Sequence, residues 1–132
     1  MNMYEALGGE ATFIALTDAF YDQVAADPLL RPLFPANMEP GKRRLANFLI
    51  ESFGGPPHWS RERHFMHLAN AHHRRAFSEA ERDAWINHML AAIDTVGITG
   101  DARRWLRQWI ISNANLAMSH RPLRPAQITV PE

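Results

Sequence analysis

The chain has 132 residues, 46% of them hydrophobic and 21% charged, which is enough for one domain with a buried core. Lysine and arginine balance aspartate and glutamate at zero net charge, so no basic or acidic field points to nucleic acid or a membrane surface. Cysteine is absent, which excludes iron–sulfur clusters, thiolate metal ligands and a cysteine nucleophile. No apolar run reaches the roughly 18 residues of a spanning helix, and Met1-Asn-Met-Tyr-Glu lacks a signal-peptide pattern. A cytoplasmic protein with no membrane partner is expected.

Met3 to Leu7 reads as a turn or two of helix ended by Gly8-Gly9. Over 10–26, Phe13, Leu16, Phe20 and Val24, with Ile14 and Tyr21 alongside, recur at helical spacing and predict one wide apolar face. Asp27-Pro28 stops that helix. Leu29 to Pro35 is too rich in proline for a regular helix and too apolar for a solvent loop, so an irregular, largely buried corner is expected.

Glu39-Pro40-Gly41 suits a helix start, and Leu45, Phe48, Leu49 and Ser52 or Phe53 form an inner stripe. Lys42, Arg43 and Arg44 crowd its N-terminal end, where each cation opposes the helix dipole by roughly 0.3 kcal/mol or more. They are either solvated side chains or holders of an anion. Gly54-Gly55-Pro56-Pro57 ends the element.

Five of the seven histidines fall between His58 and His73, with His64, Leu68 and His72 on one helical face. Ser78-Glu-Ala-Glu81 is a capping box, launching a helix with Trp85, Met89, Ile93 and Val96 on one side and Gly97 at its end. Asp101 is expected to cap the last helix. There Trp105, Trp109 and Leu116 run beside Leu106, Ile110 and Ala117, which predicts burial around much of its girth. Residues 121–132, with three prolines, read as a frayed tail to a domain over 1–120. No strand pattern or internal repeat competes. The fold class is all-α.

Clustered histidines serve several chemistries. His64-x-x-His67 supplies half of a zinc site, but the other ligands would have to come from distant residues. A carboxylate-bridged di-iron bundle needs Glu-x-x-His on two helices, and Glu62 has no histidine three residues on. Haem needs one axial histidine and a flat apolar slot, which Phe20, Leu45, Phe48, Leu68, Phe77 and Met89 can line. Without a C-x-x-C-H motif it would be non-covalent haem b with its iron. The patterns leave two readings open, a haem pocket or a cofactor-free helical bundle.

The order of motifs resembles that of the truncated haemoglobins of group II. Tyr4-Glu-Ala-Leu-Gly8-Gly9 resembles the glycine pair after the family's short first helix, and Ala19-Phe20-Tyr21-x-x-Val24 its distal tyrosine motif. Leu33-Phe34-Pro35 is similar to the corner whose aromatic residue stacks on haem, and Gly54-Gly55-Pro56 to the second glycine signal. Leu68-x-x-x-His72 followed by Glu81-Arg-Asp-Ala-Trp85 resembles the proximal histidine and distal tryptophan.

The resemblance implies a two-over-two helical sandwich, helix 10–26 pairing with the helix after Pro40, and helix 79–96 with the one after Asp101. It implies His72 rather than His73 as the iron ligand, with ferrous iron five-coordinate. Tyr21 and Trp85 become hydrogen-bond donors to dioxygen, with Phe34 and Leu45 beside them. Lys42, Arg44, Trp59 and Arg75 are expected near the haem propionates, with Phe48, Leu68, Phe77 and Met89 against the ring. His58, His64, His67, His88 and His120 are left as surface or propionate neighbours. Three features depart from the family pattern: Phe34 replaces a common tyrosine, His73-Arg-Arg-Ala-Phe77 replaces a link often containing proline, and Trp59 stands where a tyrosine often touches a propionate.

The implied ligands are dioxygen, carbon monoxide and nitric oxide. The implied activity is gas binding, for carriage or sensing, or a redox reaction of peroxidase or nitric-oxide-dioxygenase type. Nothing resembles a flavin or nicotinamide domain, so a redox enzyme would need a separate reductase.

Overall fold

The computed structural model describes residues 2–62 and 77–119, the last four of these by backbone alone. Regular structure among the described residues is entirely helical: α1 (Met3–Ala6), α2 (Glu10–Ala25), a 3₁₀ turn (Arg31–Leu33), α3 (Glu39–Ser52), helical residues at 58–62, α4 (Glu79–Val96) and α5 (Gly100–Ser119). Helix α2 packs on α3, α4 packs on α5, and α2 and α4 join the two pairs through the most extensive contact. The expected sandwich is therefore present. The tail expected beyond residue 120 lies outside the described residues.

Helical spacing explains the core. Phe13, Leu16, Phe20 and Val24 of α2 are fully buried, and Leu45, Phe48 and Leu49 of α3 face them. From the other pair come Trp85, Met89 and Ile93 of α4, and Leu106, Trp109 and Ile110 of α5. Each such side chain contributes roughly 1.5–3 kcal/mol by leaving water, which outweighs any single cap or ion pair. The short α1 is fastened to the end of α3 by Asn2 Nδ2 donating to the Gly54 carbonyl and Tyr4 N–H to the Phe53 carbonyl, both at 2.9 Å. Gly55 permits this approach, since a Cβ there would lie 2.6 Å from Ile50 Cγ2 and 2.7 Å from Tyr4 Cδ1.

Three local expectations need correction, and α5 carries a break that its spacing does not show. Ile14 is 45% exposed, because Thr17 takes the inward position and returns its hydroxyl to the Phe13 and Ile14 carbonyls. Only Leu30 of the 29–35 corner is fully buried; Arg31 folds back to donate to the Phe34 carbonyl and so ties the corner from its outer side. Asp101 stands inside the first turn of α5 and pairs with Arg104 instead of capping the helix. Asn113 breaks the regular geometry of α5 (φ −119°, ψ 16°), where its amide donates to the Trp109 carbonyl four residues back.

Candidate functional site

Helices α2 and α4 bring the two sequence-predicted donors to one buried region. Tyr21 and Trp85 are 4% and 2% exposed, and the Phe20 ring contacts both. Its centroid is 5.4 Å from that of Tyr21 and 5.3 Å from that of Trp85, each pair edge-to-face. Phe34, brought in by the corner after the 3₁₀ turn, meets the Tyr21 ring at 5.6 Å and 78°. The start of α4 is set by the expected capping box: Glu81 N–H donates to Ser78 Oγ, and Ser78 N–H to Glu81 Oε1. Trp85 thus sits in the second turn of a helix whose first turn is pinned.

The Tyr21 hydroxyl is buried and has no hydrogen-bond partner among the described residues. Such a group costs roughly 1–3 kcal/mol relative to a satisfied one, so its lack of a partner calls for an explanation. Burial pushes its ionisation well above the ordinary tyrosine value, the nearby Arg44 guanidinium opposing only in part. Tyr21 is therefore a neutral O–H donor. Gly41 on α3 makes the space: a Cβ there would lie 3.2 Å from Tyr21 Oη and 3.6 Å from Arg44 Nη2.

Leu45, Phe48 and Met89, proposed from the sequence as cofactor neighbours, are all buried in the same core, with Phe77 partly buried against it. Trp59 is 5% exposed and packs edge-on against Phe48 at 5.6 Å, so its ring is a wall of this region. The basic cluster divides. Lys42 is held by Asp18 at 2.9 Å and Glu39 at 3.1 Å, contacts that raise its ionisation and offset its unfavourable place at a helix N-terminus. Arg44 keeps a buried Nε with no hydrogen-bond partner among the described residues. Leu68, His72, Arg75 and the neighbouring His64, His67 and His73 lie outside the described residues, as does His120.

His88 corrects an expectation. It is a part-buried bridge between α4 and α2, with Nδ1 at 3.0 Å from Gln23 Oε1 and Nε2 at 2.6 Å from Asp27 Oδ2. The signal in the sequence is the i, i+4 spacing of Gln23, in the last turn of α2, and Asp27, just past its cap, which Asp27-Pro28 masks by reading first as a helix stop. His58 lines a separate cleft of about 430 Å³ on the outer side of α2 and α3, with Ile14, Lys42 and Arg43. Among the described residues no three histidine or acidic side chains gather as a metal site, and no helix is long and apolar enough to cross a membrane.

Buried apolar side chains, a buried neutral donor and a buried guanidinium nitrogen, the last two without hydrogen-bond partners among the described residues, are a set whose chemistry fits a haem with a polar ligand. Comparison with known proteins gives the same family. The family model described as "Bacterial-like globin" matches residues 2–120. A group 2 truncated haemoglobin of Bacillus subtilis is 37% identical over 103 residues, which are 78% of this chain and 77% of that one. The haemoglobin of the thermophilic phototroph Chloroflexus aurantiacus superposes with a TM-score of 0.78 at 40% identity, covering 89% of this chain and 97% of its own. A truncated oxygen-avid haemoglobin of Bacillus subtilis does so at 0.77 and 33%, covering 89% and 98%. The chain belongs to the bacterial-like globins and, within them, to the group II truncated haemoglobins.

Proposed function

We propose that this protein binds haem b without a covalent link, through His72, and holds dioxygen with hydrogen bonds from Tyr21 and Trp85. Family membership implies a haem cofactor and diatomic gases such as dioxygen. A haem bound in this slot supplies an iron that passes electron density to dioxygen, and little of it to carbon monoxide. The chain's own part is selective retention. Tyr21 O–H and Trp85 N–H donate to a ligand that has gained negative charge, each such bond being worth roughly 1.5–3 kcal/mol. Phe20, Leu45 and Phe48 exclude water that would compete for those donors. Arg44 is the candidate partner of a propionate, ahead of Lys42, which two carboxylates already occupy. Carbon monoxide and nitric oxide are proposed as further ligands.

One observation carries this reading: the buried Tyr21 hydroxyl without a partner, on the helix that faces buried Trp85. A donor-rich pocket suits slow release, in keeping with the oxygen avidity of the Bacillus subtilis protein. Stopped-flow displacement of dioxygen from Tyr21→Phe and Trp85→Phe tests it. Trp85 is held in a pinned helix and loses little freedom on donating, whereas the Tyr21 hydroxyl rotates. Trp85→Phe is expected to speed release by about tenfold or more, equal to about 1.4 kcal/mol, and by more than Tyr21→Phe. Carbon monoxide release should change far less. Dioxygen release unchanged in both variants overturns the donor assignment; a larger effect at Tyr21 reverses the order of the two.

A further inference from the structure

Where α2 ends against α4, three side chains close a set of hydrogen bonds. His88 Nδ1 faces Gln23 Oε1 at 3.0 Å and His88 Nε2 faces Asp27 Oδ2 at 2.6 Å, while Gln23 Nε2 donates to the His88 main-chain carbonyl at 3.1 Å. That last bond fixes the amide's orientation, because both amide protons of Gln23 are on Nε2. Oε1, which only accepts, is therefore the atom facing Nδ1. Both ring nitrogens face acceptors, and only an imidazolium has a proton for each. Asp27 is anchored in turn, its other oxygen accepting from Leu29 N–H at 2.8 Å at the start of the corner that carries Phe34.

The hydrogen bond from His88, and then that from Leu29, hold the Asp27 carboxyl below its usual range, so it stays anionic while an imidazole changes charge. Among the described residues it is the charged group that pairs with the ring. On α2, Asp18 is held by Lys42 and Asp22 is exposed. On α4, Arg82 lies beside Asp83 and Asp94 takes Arg103, while Arg104 of α5 pairs with Asp101.

We propose that His88 is a positioning residue for the two gas-facing donors: as an imidazolium it clamps α2 to α4 through Gln23 and Asp27, and losing one proton loosens the clamp and speeds dioxygen release. This rests on the reading of Tyr21 and Trp85 given above. Gln23 lies two residues beyond Tyr21 on α2, and His88 three beyond Trp85 on α4, so the clamp fastens the same two helices about one turn from the donors. On deprotonation the proton leaves from Nδ1 to solvent, since Nε2–H is retained by the carboxylate. A lone pair on Nδ1 then opposes Oε1. Relief comes either by turning the amide over, which breaks its bond to the His88 carbonyl, or by withdrawing the ring from Gln23. One link is lost either way.

The test measures dioxygen and carbon monoxide release from about pH 6 to about pH 9, spanning imidazole titration, in haem-loaded wild type, His88→Gln and Asp27→Asn. The ¹⁵N resonances of the His88 ring are followed over the same range, which reads the ring itself independently of gas. In the wild type, dioxygen release should quicken several-fold with rising pH, in step with loss of the imidazolium signal, while carbon monoxide release stays flat. His88→Gln should be fast at every pH. Asp27→Asn should move the profile to lower pH, because the amide still accepts from Nε2 but no longer favours the cation. A flat wild-type profile while the ring titrates overturns the proposal, as does a neutral ring at about pH 6 or a wild-type profile in His88→Gln. If Asp27→Asn leaves the profile in place, the carboxylate is no part of the clamp and the proposal also fails. These failures leave the fast release of Trp85→Phe intact; unchanged release in both Tyr21→Phe and Trp85→Phe is the separate failure of the donor reading.

Discussion

The hydrogen that Gly41 presents to the pocket stands where a methyl carbon would lie 3.2 Å from Tyr21 Oη. A contact that tight forces the hydroxyl to move by a few tenths of an ångström, while alanine in place of glycine favours a helix by up to about 1 kcal/mol. The two effects fall on different observables. Gly41→Ala should leave thermal stability unchanged or slightly higher, yet speed dioxygen release several-fold by displacing a donor. Thermal unfolding and stopped-flow release on the same preparation check this; a loss of stability with unaltered release would place the gas away from Gly41. At this scale the sequence was legible where a residue's role depends on its own helix. Tyr21, Leu45 and Trp85 face inward because their spacing says so. Lys42 was legible only in part: Glu39 lies one turn back on its own helix, but Asp18 is on another, and nothing in a run of three cations tells which one will find it.

Helix α4 follows a stretch outside the described residues, so the phase of everything on it depends on where its first turn begins. The Ser78 and Glu81 box settles that, satisfying backbone donors that an unlatched helix start would leave to water. Ser78→Ala should cost about 1 kcal/mol of stability, seen as a lower urea midpoint at unchanged slope. Because Trp85 is in the next turn, dioxygen release should quicken slightly as the first turn frays. A stability loss of that size with no change in release would show that core packing alone holds Trp85. Elements of this kind were readable to within a residue or so at most ends: α2 closes at Ala25 with Ala26 as cap, and Gly97 closes α4 in a left-handed conformation. The misreadings share one cause. Ile14 faces outward beside a Thr17 that bonds back to its own helix, Asp101 pairs with Arg104 instead of capping, and Asn113 donates to the Trp109 carbonyl where α5 breaks, all polar side-chain bonds to which apolar periodicity is blind.

At the scale of the whole molecule, two helix pairs joined through α2 and α4 enclose an apolar core, and periodicity alone could not say whether a cofactor is part of it. A cofactor-free bundle buries the same leucines and phenylalanines. The ordered series of motifs favours a globin, and the partnerless Tyr21 hydroxyl and Arg44 Nε are compatible with it. The described residues include the proposed distal donors, Tyr21 and Trp85; the candidate ligand His72 belongs to the stretch between residues 62 and 77. Gly41 has no ligating atom and Leu45 is aliphatic, so neither of these α3 residues is a candidate axial ligand. Haem bound only to the folded state adds stability by mass action, about 4 kcal/mol at a thousandfold excess over the dissociation constant. His72→Ala should therefore lose most haem during purification and, with it, most of the thermal shift that added haem produces. His73→Ala should keep both, together with the five-coordinate ferrous spectrum seen after dithionite. Retention of that spectrum and shift by both variants would mean that another residue ligates the iron. A sharply split six-coordinate ferrous spectrum in the wild type would instead bring His64 or His67 to the iron as a second axial ligand.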